Sequence, residues 1–212
     1  MIQDKKLAAL LGAGALALAL GASPVHAQLG NPADNAKTTT QSKVGENDVE
    51  RMEDISHANL AEISVGKMAL EKGQSDAVKK FAQTLIDDHT KAQDELKKIA
   101  SAKGVTLPTE TDVQHKGIAT ALQALSGETF DNQFIQRVGI GDHQRTRDML
   151  ADISKNANDP QLKAYAAKTV KVVDSHLARA KKLEASMNAA GKSGSTSGGA
   201  PSGTTGSGSG TR

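Results

Sequence analysis

Residues 75–103, SDAVKKFAQTLIDDHTKAQDELKKIASAK, decide the fold. Val78, Ala82, Leu85, His89, Ala92, Leu96 and Ile99 follow one another at alternating steps of four and three, which places them on one face of an α-helix. Ser75 stands where an N-cap satisfies an orphan amide, and Asp76 puts negative charge into the first turn. Gly104 ends the helix and Pro108 keeps it from resuming at once. The same steps recur from about Asp159 to Ala190, in Leu162, Ala166, Thr169, Val173, His176, Ala180, Leu183 and Met187, with Asp159 as N-cap and Pro160 at the first helical position. An earlier segment, about Asp48 to Lys72, carries Ile55, Ala58, Glu62, Val65 and Ala69 and stops at Gly73. Another, about Glu128 to Ala157, carries Phe130, Phe134, Val138, Leu150 and Ile153. Gly139 and Gly141 interrupt it; each weakens a helix by about 1 kcal/mol relative to alanine and marks a close helix approach or a bend.

Four long helices and no period-two alternation predict an all-α bundle. The joins at Gly73-Gln74 and around Asn158 are short, so the first and second helices, and the third and fourth, form antiparallel hairpins. Gly104 to Gly127 is much longer and holds a short amphipathic piece with Ile118, Leu122 and Leu125. A helix of this length spans about 43 Å, and a partly helical link can cover that distance. Two antiparallel hairpins joined by a long crossover make the ferritin-like arrangement; a link that folds back gives a simple up-down bundle.

The flanks read differently. Met1–Ala27 has a basic start at Lys5 and Lys6, an apolar run from Leu7 to Leu20, and small residues up to Val25-His26-Ala27. That is the order of a secretory signal cleaved after Ala27, and the apolar run is short of the ~20 residues of a spanning helix. Residues 28–45 read as a polar linker. Of the 22 residues of Gly191–Arg212, 18 are Gly, Ser or Thr, a composition that predicts a disordered tail. The bundle is thus expected over residues 46–190.

Composition excludes several functions. Lys+Arg 26 against Asp+Glu 24 gives a formal charge of +2, too balanced for a nucleic-acid binder that works by neutralising phosphates. Three Phe, one Tyr and no Trp leave little for a base-stacking platform. With no Cys there is no disulfide, thiol nucleophile, thiolate metal site or lipidated cysteine. After signal cleavage no membrane anchor is expected, and nothing in the sequence names a protein partner. No Ser or Thr stands in a nucleophile motif.

The chemistry lies in what breaks the apolar seams. Glu62 interrupts the first and His89, His143 and His176 the other three. Asp88-His89 with Leu96 and Ile99 aligns with Asp142-His143 with Leu150 and Ile153. Counted from the first turn, all four residues lie within roughly three residues of one height, about 5 Å. They are expected to form one layer, either a buried network in which Glu62 pairs with histidine, or a ligand set. Three neutral imidazoles and a carboxylate suit one transition-metal ion, zinc, copper or iron. His57 and His115 fall outside this layer and read as surface residues. Asp87, Asp88, Asp142 and Asp174 adjoin the layer histidines in sequence but point away from them by about 100° or more, as solvated groups or helix–helix polar contacts.

Leu60-Ala61-Glu62-Ile63 with Gly66, Val78-Lys79-Lys80-Phe81-Ala82, Asp88-His89-Thr90, Gly104-Val105-Thr106-Leu107-Pro108, Leu125-Ser126-Gly127 with Phe130-Asp131, Asp142-His143 and His176 occur in that order. Together they resemble the secreted bacterial domain-of-unknown-function 4142 family. The resemblance implies a ferritin-like fold and an extracytoplasmic protein, and no established activity. Phe134 stands where the family usually has Tyr, and Lys171 where a proline usually precedes the last histidine. Di-iron ferritins need Glu-x-x-His on two helices, whereas Ile86 and Val173 occupy the glutamate positions here, so ferroxidase or iron-storage chemistry is not expected. Two functions compete: an exported binding or structural protein of the bacterial envelope with a metal site in its core, and a metal-dependent redox or detoxifying enzyme of the periplasm.

Overall fold

The computed structural model describes residues 44–194. The expected signal peptide, nearly all of the linker and the sequence beyond residue 194 lie outside the described residues. The elements are α1 (Glu46–Lys72), α2 (Asp76–Ala102), α3 (Val113–Gln123), α4 (Gly127–Phe134), a π-helical segment (Ile135–Asp142), α5 (His143–Asn156) and α6 (Pro160–Gly194), with no strand among the described residues. The protein is an all-α bundle. Ser75 caps α2 by accepting from the Ala77 amide, and Gly104, at φ 72°, follows its end in the left-handed region. The Asp159 carboxylate accepts from the amides of Gln161 and Leu162 at the start of α6. That helix runs to Gly194, four residues past the boundary at 190 set by composition.

The third long helix is one rod built of α4, the π segment and α5. The π turns fall where Gly139 and Gly141 interrupt the pattern. Gly139 is a close approach: a Cβ there would stand 2.9 Å from Ala180 Cβ on α6 and 3.2 Å from Phe81 Cε1 on α2.

Two buried aspartates fix the connectivity. Asp131, in α4, accepts from the Gln74 and Ser75 amides, so the third rod starts beside the α1–α2 turn. Asp48, in α1, accepts from the Asn158 and Asp159 amides, so the α5–α6 turn lies beside the start of α1. Lys103, just after α2, pairs with Asp159 at 2.5 Å. The link from 103 to 127 therefore crosses the length of the bundle and does not fold back. α3 lies on its path against α1, where Lys72 Nζ donates to the Gln123 carbonyl.

The core has two apolar clusters. One, toward the α1–α2 turn, holds Val65, Ala69, Phe81, Leu85, Phe130, Phe134, Val138 and Ala180. The other, toward the α5–α6 turn, holds Met52, Ile55, Leu96, Leu150, Ile153, Leu162, Tyr165 and Val173. On every long helix a short buried polar stretch separates them: Asn59 and Glu62, His89 and Gln93, Asp142 and His143, and His176.

A candidate metal centre between the two apolar clusters

His89 comes from α2, His143 from the first turn of α5 and His176 from α6. All three are buried, and one ring nitrogen of each lies within 4.8 Å of the other two. Their ring centroids are 5.3–5.7 Å apart. Phe81 stands against His143 and His176 from the side of the first cluster, with centroids at 6.5 and 6.4 Å.

Each imidazole has one nitrogen engaged by an oxygen. His89 Nδ1 lies 2.9 Å from Asn59 Oδ1, His143 Nδ1 2.9 Å from the Val138 carbonyl, and His176 Nε2 3.1 Å from Asp88 Oδ2. A carbonyl or carboxylate oxygen only accepts, so these nitrogens carry the protons. Asn59 presents its oxygen to His89 because its amide nitrogen donates to Gln93 Oε1 and the Tyr165 hydroxyl, at 3.2 and 3.3 Å. Gln93 in turn donates to Ser56 Oγ at 2.7 Å, and Ser56 to the Pro108 carbonyl.

The inner nitrogens are then His89 Nε2, His143 Nε2 and His176 Nδ1, each with a bare lone pair when the ring is neutral. Burial keeps them neutral. It pushes the His89 pKa well below 6.5, with the neighbouring histidines adding to the effect, and holds His143 down to about 4. His176 is lowered too, mainly by burial, against the upward pull of Asp88. His143 Nε2 and His176 Nδ1 lie 3.3 Å apart, and no group among the described residues bonds with His89 Nε2. Three converging lone pairs with no proton donor among them form a set that could hold a metal ion. The oxygens fixing the outer N–H groups are the usual supports of such ligands.

Glu62 reaches the same layer at a different point. Its Oε1 lies 3.4 Å from His143 Nδ1, the outer nitrogen of that ring, and its Oε2 is buried without a hydrogen-bond partner among the described residues. Burial raises its pKa well above the usual carboxylate range, against a smaller opposite pull from Arg145. The structure thus brings the three histidines together and stands the carboxylate beside one of them.

Asp88 is a helix–helix contact that holds His176 from α2, whereas Asp142 pairs with Arg145, Asp174 with Arg147, and Asp87 accepts from Gln83. His57 and His115 stand outside the layer and are only partly exposed: His57 Nδ1 donates to the Glu110 carbonyl at 2.8 Å, and His115 Nδ1 meets Asp112 Oδ2 at 2.6 Å. Sequence reasoning missed Asn59, Gln93 and Ser56. The signal was present: Asn59 is three residues before Glu62 and Gln93 four after His89, hence on the same helix faces.

The profile of the family described as Domain of unknown function (DUF4142) matches residues 33–183. The chain belongs to this family. No curated protein and no solved structure matches it. In this DUF4142 protein the motif residues Asp88-His89, Asp142-His143 and His176 supply the three imidazoles and one of the oxygens that orient them. Phe130-Asp131 instead serves the fold, through the apolar cluster and the α1–α2 turn.

Proposed function

We propose that this protein is an exported, ferritin-like bundle of the bacterial envelope whose core binds one transition-metal ion through His89, His143 and His176, with Glu62 supporting His143. The observation that carries this reading is the bare, buried His89 Nε2 beside two further inner nitrogens. A purely structural network would place a donor there, because a buried polar atom left unbonded costs about 1–3 kcal/mol. All-imidazole ligation suits zinc, copper or a single iron. When bound, such an ion would supply positive charge and Lewis acidity in the buried polar layer between the two apolar clusters. Export rests on the basic, apolar and small-residue order of Met1–Ala27.

The test is a thermal one. Zinc or copper added to metal-free protein should raise the melting temperature, because a ligand that prefers the native state stabilises it. Alanine at His89, His143 or His176 should abolish the rise. Alanine at His57 or His115 should leave it intact. No rise in the wild type, or an equal rise in all five variants, would remove the metal site and leave a buried polar network.

A further inference from the structure

A pocket of about 150 Å³ opens between α2 and α6, and two of its walls are His89 and His176. Its buried end is formed by these rings with Val173 and Thr169, and its mouth by Val172, which is 36% exposed, and by the Lys168–Glu95 ion pair. The Thr169 hydroxyl donates to the Tyr165 carbonyl, so the inner wall is largely apolar. The described residues bring three inner nitrogens to the centre and no fourth protein ligand, because Glu62 engages the outer nitrogen of His143. A site with three protein ligands keeps a coordination position for an exchangeable ligand, as catalytic centres do, whereas closed structural sites use four.

We infer that the α2–α6 pocket admits a small exogenous ligand, of no more than a few heavy atoms, to the position the three histidines leave open. This rests on the metal reading above and deepens it from a sealed site to an exchangeable one. A pocket of about 150 Å³ suits a small ligand, and the apolar wall offers little to hold a larger polar molecule. Small ligands of this class include water, peroxide and linear triatomic anions. The inference therefore favours the chemically active reading of the centre over a closed structural one.

The experiment uses the whole protein loaded with cobalt(II), whose visible spectrum reports its coordination, and azide as the probe ligand. Cobalt content is measured first; if the wild type takes up none, the metal reading fails and this inference fails with it. If cobalt binds, azide should change the wild-type spectrum saturably. Val172→Trp, which narrows the mouth and leaves all three ligating histidines in the chain, should keep its cobalt and its metal-dependent rise in melting temperature. It should need at least tenfold more azide for the same spectral change. A cobalt-loaded wild type that ignores azide overturns the open position while the metal site stands. Equal azide responses in wild type and variant overturn this pocket as the route.

Discussion

At the scale of the residue, the three histidines and Glu62 respond to acid with opposite signs. The histidine pKa values are lowered in the folded protein, so the stability they contribute is present above about pH 6.5 and is lost as the pH falls. For His143, lowered from 6.5 to about 4, the loss is on the order of 3 kcal/mol by the time the pH reaches 4. Glu62, raised well above 4.5, works the other way: its neutral form is favoured by folding, so its penalty grows as the pH rises. Three imidazoles with lowered pKa values stand against one carboxyl with a raised one. Metal-free protein should therefore lose melting temperature steadily between pH 7 and 4.5, and Glu62→Gln, which removes the opposing group, should lose it more steeply. Thermal melts across that range check both. A flat profile would mean that the imidazoles are already solvated in the native state.

At the scale of the element, two features set how the rods meet. Asp131 ties the start of the third rod to the α1–α2 turn through two backbone amides. Asp131→Ala should cost about 1–3 kcal/mol in denaturant unfolding, the range for leaving buried amides unbonded. An effect below about 0.5 kcal/mol would show that the turn holds without it. Gly139 governs contact of the π segment with α6 and α2. In Gly139→Ala the new methyl meets Ala180 and Phe81, and overpacking of this kind costs about 1–3 kcal/mol, more than the ~1 kcal/mol gained in helix propensity. Gly117→Ala in α3 is the control: a Cβ there meets nothing within 4 Å, so the same substitution should stabilise. If both raise the melting point, the close approach at Gly139 is not as tight as the geometry has it. The π segment also precedes His143 and presents the Val138 carbonyl to its ring, which fits the habit of π turns to occur at functional sites.

At the scale of the whole molecule, the described residues form the bundle, and among them no helix is long and apolar enough to cross a membrane. The flanks carry a separate set of expectations. Under the proposal of export, the mature protein should begin at Gln28, and intact-mass measurement decides this; a chain retaining Met1–Ala27 would overturn the signal reading. Residues 195–212 consist mostly of Gly, Ser and Thr and have almost no apolar surface to bury. Deleting them should leave the melting temperature within about one degree. A fall of several degrees would show that the stretch docks on the bundle.

Helical periodicity, caps and joins were legible in the sequence because they are local: steps of three and four residues, Ser75 and Asp159 before their helices, and Gly104 after α2. The polar layer was legible as well, since a histidine in a seam of Leu, Val and Ala must face the core, and helix rise converts position into height. What periodicity cannot carry is ring orientation. Which nitrogen of each histidine faces inward depends on Asn59, Val138 and Asp88, two of which lie on neighbouring helices and one in the π turn before His143. The crossover was one of two readable topologies until Asp131 and Asp48 were seen binding amides 56–57 and 110–111 residues away. The π turns escaped the sequence because glycine weakens a helix without saying how it widens. Glu62 was placed at the right height yet stands behind His143, because side-chain reach and rotation are set by the packed neighbours rather than by spacing along one chain.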